Sequence, residues 1–403
     1  MIDKQVFQFP IIYTNPIGRI AIGWGAHQTV ADECKNLKIK KALITTTGLE
    51  GTGIVDEIKQ ILTAGGVAVE IYDKVTSNPK DYQIMEAYKV FKESGCNGVM
   101  SIGGGSSHDC GKGVRIVNAN DGRHITEFAA FIDPPWMEEL KKYKPTTIPQ
   151  ITVNTTAGTG AESTPFCTFT NTKARAKQSS LIAGSASNLA IIDPLLIRLM
   201  PKNIAAWTGF DALAHGFEAF LSKLTVHHSA AMELRLMKMV SENLREFAYN
   251  RMNHKACEMM CWAASMGGVA IGFGAGAGIV HGLAHQVGAL TDCHHGLSNA
   301  AVTLTLERYN EPACPEKFAE MAAAMGVDTR GMTTIQAADK WFEEIERLLS
   351  DLDIRPGHLN EQFGLQRKDL QHIIDVYAND WCSEGNAMAF NREELTKLLE
   401  SMF

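Results

Sequence analysis

The stretch GIVHGLAHQVGALTDCHHGLSN, residues 278–299, holds four of the chain's thirteen histidines and only one formally charged residue, Asp292. His281 and His285 are four residues apart, so on a helix they lie on one face, one turn from each other. His295 follows after a short loop. Neutral imidazole is the commonest protein ligand of catalytic transition metals. The spacing favours a metal site; the alternative is a set of core histidines bonded to backbone carbonyls.

A second stretch, TGFDALAHGFEAFLSK at residues 208–223, strengthens the metal interpretation. On a helix, four of its polar residues share one face: Asp211, His215, Glu218 and Ser222. A buried carboxylate or imidazole is unfavourable unless it is paired or binds a cation. If the first two of these residues face His281 and His295, one divalent ion satisfies all four groups, and iron, zinc, nickel and cobalt all suit this set. The alternative for the carboxylates is a solvated helix face.

Composition excludes several classes of function. With 403 residues and 45% hydrophobic content, the chain can bury a large core, and its length favours two domains. A net charge of −7 gives no basic stripe for nucleic acid. The nine cysteines contain no C-x-x-C pair, which favours reduced packing residues. The start, MIDKQVFQFP, lacks the apolar segment of a secretory signal, so we expect a cytoplasmic protein.

Residues 259–291 carry no formal charge, which superficially suggests a membrane span. Many glycines crowd this segment, and His281 and His285 interrupt its end. The pattern therefore favours a buried, tightly packed central helix and no membrane partner.

The first half of the chain alternates strand and helix patterns. Short apolar runs predict strands at residues 41–45, 67–72, 98–102 and 148–153, with helices starting near residues 54 and 79. This alternation is typical of a parallel sheet that is covered by helices on both sides. Such sheets bind ligands at the carboxyl ends of their strands.

Two polar loops follow predicted strands. The first is SIGGGSSHDCGKG, residues 101–113, whose glycines allow close approach of a ligand and whose helix start offers free amides to a phosphate. Asp109 and Lys112 lie one turn into that helix and are candidates for a ribose or nicotinamide contact, although a surface ion pair is the alternative. The second loop is NTTAGTGAEST, residues 154–164. Neither is a G-x-G-x-x-G fingerprint, but two such loops together favour a dinucleotide cradle.

Beyond residue 194 the pattern becomes helical. We place the domain boundary near residue 196, giving a dinucleotide-binding α/β domain at 1–196 and a helical metal-binding domain at 197–403. The metal groups then lie in one domain and the nucleotide loops in the other, so we expect the chemistry in the cleft between them.

Four motifs, GGGSSHDCGK, TTAGTGAE, GFDALAHGFEA and HGLAHQVGALTDCHHG, resemble the iron-containing, or group III, alcohol dehydrogenase family over essentially the whole chain. The stretches TTGLEGTGI, YDKVTSNPKDY and MTTIQAADK are similar to its methanol dehydrogenase branch, especially the nitrosodimethylaniline-dependent methanol oxidoreductases. The resemblance implies an α/β, Rossmann-like N-terminal domain, an all-α C-terminal domain and an active site in the cleft between them.

The resemblance also implies the site. One divalent metal, iron or zinc, would be held by Asp211, His215, His281 and His295, while His285 would be a catalytic residue beside substrate and cofactor. The implied contacts to NAD or NADP are Gly104, Gly105, Ser106, Asp109, Thr155, Thr156, Thr164 and Lys177. The implied reaction is hydride transfer between a primary alcohol and the nicotinamide, giving the aldehyde, in a homo-oligomer that is a dimer or larger, up to a decamer.

The chain departs from the family pattern in two places. Where many members carry Asp after the first predicted strand, this chain has Thr47, so we expect NADP to be accepted. Where many carry Phe before the metal histidines, it has Gly272, so we expect a wider substrate pocket.

Two alternatives stay open at this level. A lyase similar to dehydroquinate synthase also combines a nicotinamide domain with a metal-bearing helical domain, but the basic pocket it needs is not evident near residues 281–295. The other alternative is a metal-binding protein without catalysis.

Overall fold

The computed structural model describes residues 18–132 and 136–403. Its first half is a parallel sheet with helices on both faces and its second half is helical, which confirms the predicted fold class. The start of the chain, on which the expectation about a secretory signal rests, lies outside these residues.

Eight strands lie in the described part of the first half. They are β1 (Arg19–Ile22), β2 (Lys41–Thr46), β3 (Ala68–Tyr72), β4 (Gly98–Gly103), β5 (Gln150–Asn154), β6 (Cys167–Asn171), β7 (Ala176–Ser180) and β8 (Leu189–Ile192). Six of them form a parallel sheet in the order β1-β8-β5-β4-β2-β3, and β6 and β7 form a separate antiparallel hairpin. The four predicted strands are confirmed; the hairpin and the two strands β1 and β8 were not predicted.

Helices connect the strands and cover the sheet. They are α1 (Val30–Asn36), α2 (Ile54–Ala64), α3 (Asp81–Glu93), α4 (Gly105–Ala119), α5 (Trp136–Leu140) and α6 (Pro194–Ile197). Adjacent strand residues point to opposite faces: Leu43 packs in the cluster that contains Ile84 and Val114 of α3 and α4, whereas Ile44 packs with Ile58 of α2. Burial on both faces explains why these strands are continuous apolar runs.

Strand register places the polar loops side by side. Thr46 at the end of β2 pairs with Ile102 of β4, and Gly103 of β4 pairs with Asn154 of β5. The residues that follow, Thr47, Gly104 and Thr155, therefore emerge at one edge of the sheet. From β2 the chain adds β3 on one side of the sheet, and it adds β4, β5 and β8 on the other side. Open α/β sheets bind ligands at such a topological switch point, which here lies between β2 and β4.

The second half contains eleven helices among the described residues. They are α7 (Lys202–Leu221), α8 (His227–Tyr249), α9 (His254–Ala270), α10 (Ile279–Thr291), α11 (His295–Asn310), α12 (Pro315–Ala324), α13 (Thr334–Asp351), α14 (Leu359–Phe363), α15 (Leu370–Tyr377), α16 (Trp381–Gly385) and α17 (Arg392–Ser401). The boundary near residue 196 stays our proposal; this position lies in α6.

The prediction of one central helix across residues 259–291 is wrong. Helix α9 ends at Ala270, a π-helical turn follows at Ile271–Ala275, and α10 begins at Ile279. The break follows from glycine: Gly276 has a φ of +68°, a conformation that ends a helix.

Within the described residues, one helical segment, His254–Phe273, is long and apolar enough to cross a membrane, with mean hydropathy 1.3. Of its most apolar window, 72% is buried inside the protein, a share that is typical of a core helix. All nine cysteines are free, as expected.

Glycines bring the loop after β5 into backbone contact with the helical half. A Cβ atom at Gly158 would lie 2.2 Å from the carbonyl oxygen of Thr208 in α7. A Cβ atom at Gly268 in α9 would lie 2.3 Å from the carbonyl oxygen of Gly160. Only residues without a side chain permit this approach, so these glycines set how closely the loop packs against the helices that carry the metal motif.

We predict that Gly268→Ala destabilises the protein by about 1–3 kcal/mol, because the added methyl group overpacks a rigid backbone contact. Gly288→Ala is the control, since its Cβ atom would meet nothing closer than 3.8 Å and alanine is the better helix former. Denaturant unfolding measures both variants. Equal stability of Gly268→Ala and wild type would contradict the packing argument.

Candidate functional site

A cavity of about 470 Å³ lies between the sheet edge and the helices. Fourteen of the fifteen candidate residues from the sequence line it: Thr47, Gly104, Gly105, Ser106, Asp109, Thr155, Thr156, Thr164, Lys177, Asp211, His215, His281, His285 and His295. The nucleotide loops at residues 101–113 and 154–164 and the metal motif at residues 208–223 and 278–299 therefore share one space.

The glycine loop forms one end of this cavity. Gly103 has a φ of +139°, and a Cβ atom at Gly104 would lie 2.8 Å from the Thr156 methyl group. The two loops thus pack so closely that a side chain at Gly104 would not fit. Helix α4 begins at Gly105, so its N-terminal amides and positive dipole end face the cavity, as a pyrophosphate requires.

Lys112 is the fifteenth candidate, and the structure gives it a structural position instead. Its fully buried side chain does not line the cavity. The Nζ atom donates to the carbonyl oxygens of Ala161 at 2.7 Å and Phe166 at 2.6 Å, and it also contacts Asp109 at 3.2 Å. Lys112 therefore ties the loop around residue 162 to α4. Its burial depends on tertiary contacts, which sequence spacing does not reveal.

The same loop contains a buried acid without a partner. Glu162 is only 2% exposed, and both of its carboxylate oxygens lack a hydrogen-bond partner. Burial raises the pKa of Glu162 to about 7. A carboxyl group whose pKa is raised in the folded state binds its proton more tightly there, so folding becomes less favourable as the pH rises from about 4.5 to 7.

We predict that Glu162→Gln removes this loss of stability. The variant and the wild type should be about equally stable near pH 4, and the variant should be more stable by about 3 kcal/mol at pH 8, from 1.36 kcal/mol for each pKa unit. Unfolding free energies across pH 4–8 test the difference, with the exposed Glu400→Gln as control. A difference that does not grow with pH would contradict the assignment.

The metal motif forms a compact cluster. The ligand atoms of Asp211, His281 and His295 lie within 4.8 Å of one another. The Asp211 Oδ1 atom is 3.4 Å from His281 Nε2 and 3.6 Å from His295 Nε2. Ligands at about 2.1 Å around one tetrahedral ion are separated by about 3.4 Å, so these spacings fit a divalent cation.

The fourth candidate, His215, lies beside this cluster. Its ring stacks on that of His281 with centroids 4.6 Å apart, but its ring nitrogens lie outside the group of ligand atoms within 4.8 Å. The Nδ1 atom of His215 and the Oδ2 atom of Asp211 are both buried without a partner. Orphaned buried polar atoms are what a bound cation satisfies, so the donor set fits a metal.

The two histidines His295 and His281 differ in how their surroundings shift their pKa values. Burial lowers the pKa of His295 well below its usual value, which keeps the imidazole in the neutral form that binds metals. Burial also opposes protonation of His281, but the carboxylates of Glu218 and Asp211 outweigh it and raise its pKa to about 9.

Glu218, a residue of the polar helix face for which the sequence predicts no function, supports His281. One of its carboxylate oxygens accepts from His281 Nδ1, which leaves Nε2 for the cluster. Its Oε1 atom also accepts from the backbone amides of Gly278 at 3.0 Å and Val280 at 2.7 Å at the start of α10. The carboxylate therefore holds both the helix end and the ring.

We predict that Glu218→Gln weakens metal binding by about 10- to 100-fold, the range for a lost partner of a metal-binding histidine. Both carboxylate oxygens of Glu218 accept from N–H groups, whereas a glutamine has one accepting oxygen. Its NH₂ group would face an N–H donor that it cannot accept from. Metal titration of the metal-free protein tests this. Glu233→Gln, which changes a buried acid in α8, should leave the affinity unchanged; an equal loss in both variants would contradict the role of Glu218.

The expectation about Gly272 is wrong. A Cβ atom at Gly272 would point to Pro165, with 3.3 Å to its Cδ atom, and Gly272 does not line the cavity. Its neighbour Ile271 does. The π-helical turn changes the direction of the side chains in this segment, which α-helical spacing could not predict. The aromatic wall comes instead from Phe166 and Trp381, which stack at 4.6 Å.

Comparison with known proteins agrees with this geometry. The family description "Iron-containing alcohol dehydrogenase" matches residues 17–194, and "Fe-containing alcohol dehydrogenase family, C-terminal" matches residues 205–403. The chain is 42% identical over 407 residues to a methanol:N,N-dimethyl-4-nitrosoaniline oxidoreductase of Mycobacterium sp. (strain DSM 3803 / JC1), covering 95% of this chain and 94% of the relative.

Two further comparisons span the chain. It is 35% identical over 384 residues to a 1,3-propanediol dehydrogenase of Citrobacter freundii, covering 94% of this chain and 96% of the relative. A crystal structure of a 1,3-propanediol oxidoreductase matches with a TM-score of 0.87 and 33% identity, covering 98% of this chain and 99% of the other.

A glycine-lined cleft that faces an Asp–His cluster fits an enzyme that uses a metal and a nicotinamide cofactor. The chain belongs to the iron-containing alcohol dehydrogenase family. The resemblance to nitrosodimethylaniline-dependent methanol oxidoreductases is confirmed. The protein is therefore an enzyme of alcohol–aldehyde interconversion.

Proposed function

We propose that the enzyme oxidises small primary alcohols to aldehydes, with a divalent ion at Asp211, His215, His281 and His295 and with NAD or NADP along the glycine loops. The observation that supports this most is the shared cavity, which joins the N-terminus of α4 to the buried ligand cluster. Iron or zinc fits the oxygen and nitrogen donors.

A bound divalent ion would supply a Lewis acid for the alcohol oxygen, and a bound nicotinamide would supply the hydride acceptor. The chain's own residues hold and orient the reactants. Glu218 fixes the His281 ring, and Lys177 lies at the cavity wall, where its Nζ atom donates to Asn78 Oδ1 at 3.1 Å. Burial lowers the pKa of Lys177 to about 8.

We assign the released proton to His285. The alcohol loses a hydride and a proton, so a base must take the proton while the aldehyde and reduced cofactor form. His285 lines the cavity, and its ring stacks against that of His295 at 4.8 Å. Burial lowers the pKa of His285 well below its usual value, so the resting imidazole is neutral and would relay the proton rather than retain it.

The test is alcohol-dependent reduction of NAD and NADP by the metal-loaded enzyme, with a panel of primary alcohols. Where the cofactor stays bound, an added acceptor dye reports turnover. The proposal is wrong if loaded protein oxidises no alcohol and reduces no aldehyde.

For the cofactor, we propose that NADP is accepted at least comparably to NAD. A carboxylate near the adenosine ribose bonds the 2′-hydroxyl of NAD and repels a 2′-phosphate. Thr47 follows β2 and lines the cavity without such a charge, whereas the nearby acid Glu50 is exposed.

Thr47→Asp should move the preference towards NAD, measured as the ratio of kcat/KM for the two cofactors. Glu50→Gln tests the competing source of charge and should leave the ratio unchanged. A wild-type preference for NAD above roughly 100-fold, about 2.7 kcal/mol, would contradict the proposal.

For the substrate, we propose that the pair Phe166 and Trp381 limits the length of the alcohol. Trp381 and His285 both line the cavity, so the indole and the base that we assign border the same space.

Trp381→Ala should raise kcat/KM for butanol relative to methanol, by about fourfold for each methylene that becomes buried, from 0.8 kcal/mol per methylene. Trp262→Ala is the matched control, because Trp262 is 40% exposed and lies outside the cavity. An unchanged ratio in Trp381→Ala would contradict this limit on length.

We also propose a cytoplasmic homo-oligomer. Within residues 18–132 and 136–403, strand β1 pairs with β8 and with no second strand, so this sheet edge is where a second copy can associate.

A further inference from the structure

Asn299 lies in helix α11, one turn after His295, and its side-chain amide reaches into the ligand cluster. The Nδ2 atom is 2.8 Å from Asp211 Oδ1, 3.2 Å from His281 Nε2 and 3.4 Å from His295 Nε2. Asn299 is fully buried. One amide nitrogen therefore contacts the three atoms that form the compact part of the candidate metal site.

The orientation of this amide follows from chemistry. An ionised carboxylate only accepts hydrogen bonds, and Asp211 Oδ1 lies 2.8 Å from the amide nitrogen. The amide nitrogen, not the oxygen, must therefore face Asp211 Oδ1. The Oδ1 atom of Asn299 is buried without a partner, so the nitrogen contacts alone fix the rotamer.

This amide nitrogen competes with a cation. It has two hydrogens: one bonds Asp211 Oδ1, and the other points to Nε2 of the His295 ring. A ring nitrogen has one lone pair in the ring plane, which either accepts from Asn299 or binds a metal, but not both.

We propose that Asn299 is a positioning residue of the metal site, which holds Asp211 and the imidazoles together in the metal-free enzyme and gives up its imidazole contact when the ion binds. The inference rests on the proposed metal function. It makes Asn299 an internal competitor of the ion: the amide stabilises the metal-free protein and lowers its affinity for metal.

The consequence is opposite to that of losing a ligand. Asn299→Leu keeps the approximate side-chain volume and removes the amide. The metal-free protein should unfold at a lower temperature, because buried acceptors lose their donor. The metal-loaded protein should lose less, since the ion satisfies those acceptors. By linkage, the affinity for metal must then rise, and we expect about tenfold.

The experiment is a Zn²⁺ titration of metal-free protein against a chelating dye, together with thermal unfolding of the metal-free and loaded forms. Asn299→Leu is compared with Asn299→Ala, which provides a second variant if leucine prevents folding. Ser298→Ala is the matched control, because Ser298 is the neighbouring buried residue in α11 and its hydroxyl donates to backbone carbonyls instead of to the ligand atoms. His281→Ala provides the reference for loss of the site.

Tighter Zn²⁺ binding in the Asn299 variants, with a larger drop in unfolding temperature for the metal-free form, supports the proposal. Weaker binding would overturn it and make Asn299 a support or ligand of the bound ion. Equal losses in both forms, as expected for a purely structural residue, would also overturn it. If wild type and His281→Ala bind Zn²⁺ equally poorly, the proposed metal function itself fails.

Discussion

The burial of a carboxylate among imidazoles is the constraint on which this structure depends. Asp211 is fully buried in α7, and His281 at the start of α10 is only 3% exposed. Neither is favourable in an apolar interior without a partner. The two side chains face each other in the helical core, and Glu218 bonds the far side of the His281 ring. A cation between them satisfies both groups, and these contacts hold α7, α10 and α11 together.

The cofactor end depends on a different constraint, which is close approach of backbones. The register of β2, β4 and β5 brings three loops to one sheet edge, and glycines let the loop after β5 touch α7 and α9. These contacts fix the distance between the nucleotide loops and the metal cluster, so hydride donor and acceptor can share one cavity.

Much of the fold and of the candidate site could be predicted from the sequence, because helical and strand periodicity shows which residues share a face. The spacing of Asp211, His215 and Glu218 on a helix shows in the sequence, as do the buried strands and the glycine loops. The direction in which residue 272 faces could not be predicted, because it depends on the π-helical turn at Ile271–Ala275. The structural position of Lys112 depends on acceptors from residues about fifty positions away, and the capping of α10 by Glu218 depends on tertiary packing. Strand β1 has only four residues and too little pattern to recognise.

The most direct test of the central claim is anomalous X-ray diffraction from crystals of the metal-loaded enzyme, recorded at the absorption edge of the bound metal. The account predicts one strong peak in each chain, enclosed by the side chains of Asp211, His215, His281 and His295. A loaded crystal with its metal elsewhere, or with no peak between these residues, would contradict it.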